Sequence, residues 1–160
     1  MTQILQSDIL SLEAYFQNLV DLDPEIKTYV LEAGNNPFEM ERFDTVAKSK
    51  GFEYPAMAML MPVISGDDNE MQNFEAKQEI AFAFLYPTDD SAQQKFEKYR
   101  LGQLAGWRFL RCLRRDSKAG MFRIEKLSYK MAPFEYGSDG AVGQYVMINI
   151  ITSTNYLIGV

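Results

Sequence analysis

The longest helical pattern in this chain is SAQQKFEKYRLGQLAGWRFLRCLRR, residues 91–115, which follows the strand-like run IAFAFLY, residues 80–86. Ser91 and Gln94 have the spacing of a capping box, in which both side chains satisfy backbone N–H groups that the first helical turn leaves free. Arg115 suits the negative end of the helix dipole. The local sequence therefore predicts where this helix begins and ends.

The apolar residues of this helix fall into two strips at about 100° per residue. The first is wide enough to pack on a sheet, and we predict that it faces the core; it contains Phe96, Tyr99, Gly106, Trp107, Leu110 and Leu113. The second contains Leu101, Ala105, Phe109 and Cys112. This second strip is a contact between subunits, ordinary surface, or a surface covered by the N-terminal segment.

The charge of this helix differs from that of the rest of the chain. The helix holds seven of the 16 Lys and Arg residues and one of the 22 Asp and Glu residues, and the whole chain has a net charge of −6. A basic helix on an acidic body favours pairing with an acidic surface, either within the subunit or on a neighbouring copy. A solvated helix face is the alternative.

Composition excludes several classes of function. A chain of 160 residues that is 47% hydrophobic predicts one globular domain, residues 1–160. The acidic balance argues against a general nucleic-acid binder. The chain has no histidine and a single cysteine, Cys112, so His-based catalysis, most zinc sites and an internal disulfide are excluded. We expect no enzyme, no cofactor, and no membrane span, because no apolar run reaches about 18 residues.

The N-terminal 50 residues are predicted to be helical. Ser7 or Asp8 can cap a first helix, and Asp23 followed by Pro24 predicts a short second helix over EIKTYVLEAG, residues 25–34. The next segment has no clean period, and three side chains are expected to anchor it in the core: Phe38, Met40 and Phe43.

Four main strands are predicted after this segment, over residues 54–63, 73–87, 121–136 and 144–154. The fold class is therefore α+β, with a mixed or antiparallel sheet, the long helix on one face, and N-terminal helices. Met57, Met59 and Met61 share one face of the first strand, where methionine is either core filler or a binding surface. The first half of the long second strand is polar outside and is expected to project as a hairpin arm with the strand before it.

The densest carboxylate cluster lies in the loop before that long strand, at Asp67, Asp68, Asn69 and Glu70. Oxygen ligands of this kind hold calcium or magnesium, but the spacing does not match an EF-hand loop. We therefore interpret the cluster as a solvated turn and predict no metal site.

The order of these parts resembles the tail terminator family of long-tailed bacteriophages, the minor tail proteins that cap the tail tube. The resemblance spans residues 52–152. Its segments are YPAMAML at 54–60, the acidic loop at 67–70, AFLYP at 83–87, YGSD at 136–139 and YVMI at 145–148.

The resemblance implies a structural subunit that forms a ring, expected to be a hexamer. Such a ring binds the last ring of tail-tube protein, stops its polymerisation and joins a head-completion or connector protein, while DNA only passes through its channel. The protein would be cytoplasmic during assembly and then part of the virion tail. A related tail-completion or connector subunit is equally compatible with these segments. The alternative from a different class is a bacterial ligand-binding or adaptor domain.

Two sets of interaction residues follow. The subunit interface is predicted at Arg100, Arg108, Arg111, Arg115, Leu101 and Phe109. The hairpin that contacts the tube or a neighbouring subunit is predicted at Asp67, Asp68, Asn69, Glu70 and Phe74.

Overall fold

The computed structural model of the chain describes residues 5–68, 74–89, 91–126, 128–137 and 140–153. These residues form three helices and seven strands in an α+β arrangement, which confirms the predicted class. The elements are α1 (Ile9–Leu22), β1 (Thr28–Leu31), α2 (Glu41–Ala47), β2 (Ala56–Met59), β3 (Val63–Asp68), β4 (Phe74–Tyr86), α3 (Ala92–Lys118), β5 (Arg123–Ile124), β6 (Lys130–Tyr136) and β7 (Ala141–Ser153).

The sheet is mixed and has more strands than the four predicted. Its order is β1-β2-β4-β7-β5, with β3 also paired to β4 and β6 also paired to β7. Only β1 and β2 run parallel among the described pairs. The extra strands arise because the predicted third strand is split into β5 and β6, the predicted acidic loop begins as β3, and a predicted helix is β1.

The N-terminal 50 residues are not wholly helical, because β1 replaces the predicted second helix. Its sequence, TYVL, consists largely of β-branched and aromatic residues typical of strands. Asp23 Oδ1 accepts hydrogen bonds from the backbone N–H groups of Glu25 and Ile26 at 2.9 and 3.0 Å. This geometry is a local Asx-type turn. Asp23 therefore starts a turn that leads into a strand, and the prediction of a helix here is wrong.

The helix caps follow the sequence closely. Asp8 caps α1 by accepting a hydrogen bond from the Ser11 backbone N–H at 2.9 Å. Ser91 caps α3 by accepting from the Gln94 backbone N–H at 3.3 Å, and the Gln94 side chain accepts from the Asp89 backbone N–H at 3.2 Å. The predicted start of α3 is therefore confirmed, while its end lies at Lys118 instead of Arg115.

The two central strands have one large-residue face and one small-residue face. In β2 and β4 the sequences AMAM and AFAF lie antiparallel, with Met57 opposite Phe84 and Ala58 opposite Ala83. The large side chains pack with α1 and α3, and we call this side the α1/α3 face. The alanines pack with α2 on the other side, which we call the α2 face. Met57 and Met59 are fully buried, so they are core filler.

The first half of β4 does not project alone. β3 pairs with it from Val63 opposite Glu79 to Asp68 opposite Phe74, which confirms the hairpin. On the other side, β7 pairs with β4 as far as Glu75, so this half lies inside the sheet. The predicted two-stranded arm therefore has a third strand beside it, because β7 continues over 13 residues. Val146, Ile148 and Ile150 of β7 are buried as predicted.

Candidate interaction surface

The face of α3 that packs on the sheet differs from the predicted one. Ala105, Phe109 and Leu113 are buried, whereas Trp107 is 48% exposed and Phe96 is 70% exposed. The buried face lies between the two predicted strips and takes residues from both. It is broad because the same cluster includes side chains of α1 and of the sheet. Each of the two predicted strips thus contributes only some of its residues to one core face.

Small residues allow α3 to come close to β7. A Cβ placed on Gly102 would lie 2.8 Å from the Gln144 backbone nitrogen, and one on Gly106 would lie 2.7 Å from the Met131 Cε atom. Gly106 therefore lies against side chains of β6 and β7, and Gly102 makes the tighter contact with the backbone. This packing turns Trp107 away from the sheet.

Of the predicted interface residues, Phe109 is not available to a second subunit and Leu101 is only partly exposed. Phe109 is 2% exposed and packs against Phe84, with ring centroids 4.9 Å apart. Leu101 is partly buried against the same core. The predicted strip on this side of α3 is thus core, because α1 and the sheet both pack there.

Most of the predicted arginines form ion pairs within the subunit. Arg108 bonds to Asp23 at 2.9 Å and to Glu25 at 3.0 Å, so it links α3 to the end of α1. Arg115 Nε bonds to Asp116 at 2.7 Å, and Arg100 bonds to Glu97 at 2.8 Å. The basic helix is thus partly neutralised within its own subunit, which is one of the two pairings that the charge pattern allowed.

Two carboxylates between α1 and α3, those of Asp23 and Asp116, are stabilised in the charged form. Burial raises the pKa of Asp23, but hydrogen bonds from Arg108 and from two backbone N–H groups outweigh it, so the pKa lies below its usual value. Asp116 is similar: burial raises its pKa, while hydrogen bonds from Arg115 and from Tyr15 lower it below the usual value. The Tyr15 hydroxyl donates to Asp116 at 2.7 Å, which joins α1 to α3.

The outward face of α3 remains cationic and aromatic. Its exposed members are Phe96, Leu104, Trp107, Arg111, Arg114 and Lys118. Arg111, Arg114 and Lys118 form no ion pair with the described residues. Arg111 is thus the one predicted interface arginine whose guanidinium lies exposed and without an acidic partner in this part of the chain.

A groove lies between the second half of α3 and the connection from β5 to β6. Its volume is about 560 Å³, and Leu110, Ile124 and Ile148 lie among its lining residues. Trp107 and Tyr129 also line it and contact each other edge to face, with ring centroids 6.0 Å apart at an angle of 73°. We call this site the cationic groove. Its four basic residues are Arg111, Arg114, Lys118 and Lys126.

The single carboxylate that lines the cationic groove is already engaged. Glu125 accepts hydrogen bonds from Lys77 Nζ at 2.9 Å and from Asn149 Nδ2 at 2.7 Å. Lys126, like the three cations on α3, pairs with no carboxylate in the described part of the chain. The groove therefore combines an apolar lining with aromatic side chains and uncompensated positive charge, a composition suited to an acidic ligand with an apolar or aromatic anchor.

Sequence reasoning found Arg111 but missed most of this groove. Trp107 was assigned to the core, and Tyr129 and Lys126 belong to a segment that was predicted to be continuous strand. The pattern of α3 alone contains a weak signal, since Trp107, Arg111, Arg114 and Lys118 recur at spacings of three and four. No local sequence pattern indicates that residues of β5, of the segment after it and of β7 line the same groove.

The predicted hairpin residues are only partly described. Asp67 and Asp68 end β3, and Phe74 begins β4. Asn69 and Glu70 lie outside the described residues. Within the described ranges, no group of three or more His, Cys, Asp or Glu residues is placed to hold a metal ion. The same ranges contain no helix that combines the length and apolarity needed to cross a membrane.

No protein-family model matches the chain, and no curated protein matches it either. The likeness to tail terminators therefore stays a prediction from the ordered segments.

Proposed function

We propose that the chain is a non-catalytic assembly subunit that associates with further copies of itself through the outward face of α3. The observation that carries this proposal is the cationic groove on a subunit of net charge −6. It places exposed aromatic side chains beside four cations that pair with no carboxylate of the described residues. Aromatic and arginine side chains are enriched at protein interfaces and provide most of their strongest contacts.

The charge distribution favours a second copy of the chain as the partner. Arg111, Arg114, Lys118 and Lys126 form a local basic surface, while the subunit as a whole is acidic. Opposite charge on different parts of one surface steers copies together in a head-to-tail orientation. A head-to-tail contact closes into a ring when the rotation between copies permits it, and otherwise produces a filament.

The specific assembly that we propose is the end of a phage or prophage tail. This part rests on the ordered segments between residues 52 and 152 that resemble tail terminators. The ring would cap the tail tube, contact the tube protein on one side and a head-completion or connector protein on the other, and let DNA pass. An acidic channel lining would keep DNA from adhering, because the phosphate backbone is repelled by carboxylates. Assembly would take place in the cytoplasm, and the mature site would be the virion tail.

The alternative of a ligand-binding or adaptor domain is not supported at the place where the sequence pointed to it. That interpretation called for a deep apolar pocket lined by the methionine row. Met57 and Met59 instead fill the α1/α3 face, and neither lines a groove in the described part of the chain.

The proposal is tested by the mass of the protein in solution, measured by light scattering at low and high salt. We expect the wild type to form a closed oligomer that dissociates as salt screens the contact. The double variant Arg111→Glu, Arg114→Glu should be monomeric under conditions where the wild type is assembled. Arg108 is unsuitable for this test because it pairs with Asp23 inside the subunit.

The matched control reverses the same number of charges on another surface. Lys48 and Lys50 are exposed and lie beyond the end of α2, so Lys48→Glu, Lys50→Glu should leave the oligomer intact. A wild type that stays monomeric at every concentration and salt, alone and with tail tubes, would overturn the proposal.

A further inference from the structure

We infer that the cationic groove of one copy receives an acidic aromatic turn, residues 36–41, from the opposite face of the next copy. This inference rests on the proposed function and specifies which two surfaces meet. The turn has the sequence NPFEME and carries Phe38, Glu39 and Glu41 at exposed positions.

Phe38 is exposed on a well-defined turn, so the expectation that it anchors its segment in the core is wrong, whereas Met40 and Phe43 are buried as predicted. Its side chain is 74% exposed, the largest exposed fraction among the large hydrophobic residues described. The Asn36 side chain accepts a hydrogen bond from the Phe38 backbone N–H at 3.0 Å, and the Asn36 carbonyl accepts from the Glu39 backbone N–H at 3.2 Å. Met40, two residues on, is buried and attaches the turn to the core. A side chain presented in this way loses little conformational entropy when it binds.

The charges of this turn complement those of the groove. Glu39 and Glu41 alternate with Phe38 and Met40 along the turn, and both glutamates are exposed. Neither of these two carboxylates forms an ion pair with the described residues. Arg42 is exposed beside them and Asp44 follows, so the surface from 39 to 44 keeps a net negative charge. The groove offers four cations that form no ion pair in the described ranges, beside the Trp107 and Tyr129 rings.

The two surfaces lie on opposite sides of the sheet. The Phe38 ring contacts Phe134, a member of the α2-face cluster, with centroids 6.0 Å apart. Leu110 and Ile148, which line the cationic groove, belong to the α1/α3-face cluster. The turn therefore cannot enter the groove of its own subunit, since the sheet lies between them. A contact between the two surfaces must join different copies head to tail, which is the geometry of a ring or a filament and not of a two-fold dimer.

Charge reversal tests the inference by loss and rescue of the oligomer. We expect Glu39→Lys, Glu41→Lys to dissociate the oligomer as fully as Arg111→Glu, Arg114→Glu does. An equimolar mixture of these two monomeric proteins should assemble into an alternating oligomer. The wild-type groove of one chain then meets the wild-type turn of the other, and the carboxylates introduced at 111 and 114 meet the ammonium groups introduced at 39 and 41. The chain that carries all four substitutions should recover self-association, because the carboxylates introduced at 111 and 114 then face the ammonium groups introduced at 39 and 41.

Cysteine cross-linking tests the same contact without removing its anchors. Two single-cysteine chains are made in a Cys112→Ser background, one with Glu39→Cys and the other with Lys118→Cys. Mixing them under mild oxidation should produce the 39–118 disulfide in excess over the 39–39 and 118–118 products. Leu10→Cys, at an exposed position of α1, replaces Glu39→Cys in the control and should form no enriched product with Lys118→Cys.

The outcomes separate the inference from the proposed function. If the groove variant dissociates while Glu39→Lys, Glu41→Lys stays assembled like its control Asp21→Lys, Glu53→Lys, the proposed function stands and the acidic turn is not the partner. Predominant 39–39 or 118–118 products would indicate a two-fold contact and overturn the inference. A groove variant that stays assembled would overturn both.

Discussion

The two faces of the sheet are stabilised in different ways. On the α1/α3 face, the phenylalanines and methionines of β2 and β4 pack against two long helices. On the α2 face, the buried alternate positions of the same strands are alanines and Leu85, and the covering helix has seven residues. The first face is stabilised mainly by apolar area, because large side chains bury more surface.

The α2 face depends more on individual polar contacts. The carboxylate of Glu32, which is buried, accepts hydrogen bonds from the backbone N–H groups of Arg42 and Phe43 in the first turn of α2. The Tyr136 hydroxyl accepts from the Met40 backbone N–H at 2.9 Å and donates to Asp44 at 3.0 Å. These contacts satisfy N–H groups that the first turn of a helix leaves free. Side chains outside α2, those of Glu32 and Tyr136, therefore replace a local N-cap side chain. We therefore expect substitutions on the α1/α3 face to destabilise the whole fold, and substitutions on the α2 face to cause local opening around α2.

The largest expected effect is on the α1/α3 face. Phe82 is fully buried between Phe16, Phe84 and Phe109. Phe82→Ala should lower the free energy of unfolding by about 3–5 kcal/mol, because it removes buried area and leaves a cavity. Urea denaturation measures this as a lower midpoint at an unchanged slope. A loss below about 1 kcal/mol would show that the face repacks and is not closely packed.

Two glycines of α3 test how close the packing on this face is. The added Cβ of Gly102→Ala would meet the Gln144 backbone nitrogen at 2.8 Å, and we expect a loss of about 1–3 kcal/mol. Gly106→Ala meets the flexible end of Met131, and its gain in helix propensity of up to about 1 kcal/mol offsets the crowding. Chemical denaturation should rank Gly102→Ala as clearly the more destabilising. Equal losses of stability in the two variants would indicate that the backbone of β7 can shift away from α3.

The α2 face is tested by Glu32→Gln, which exchanges one carboxylate oxygen for an amide that cannot accept a hydrogen bond. We expect a loss of about 1–3 kcal/mol, confined to the α2 region, because one buried N–H loses its acceptor. Hydrogen exchange should speed up in residues 41–47 and stay slow in β4. Glu41→Gln, at an exposed position of the same helix, is the control and should change neither.

The smallest expected effect is the acid dependence of the α1/α3 face. The pKa values of Asp23 and Asp116 lie below their usual range in the folded protein. A lowered pKa contributes stability above the unfolded value of about 3.9, and this contribution is lost as pH falls through the folded value. The free energy of unfolding, measured by denaturation at pH 7 and again below about pH 4, should show this loss. Arg108→Gln should weaken the dependence, and Arg111→Gln should leave it unchanged; the same slope in both variants would contradict the assignment.

The extent of prediction from sequence follows the range of each interaction. Asp8 and Ser91 were recognisable as caps because they bind backbone groups three residues away. The long strands β4 and β7 were recognisable because alternation repeats along them. The second helix was wrong, because Asp23 introduces a turn and the pairing of Val30 with Ala58 then holds the segment as a strand. Local sequence records the turn but not the partner strand.

The candidate surface shows the same division. Sequence alone determined that α3 is long, basic and amphipathic on an acidic chain, since composition and spacing fix those properties before folding. Only the tertiary structure decided which side of α3 is buried, that Arg108 and Arg115 are paired within the subunit, and that Trp107 and Tyr129 stand beside the same groove. It also placed Phe38 on the far side of the sheet from that groove. These outcomes depend on contacts between residues tens of positions apart, and the pattern along one helix cannot contain them.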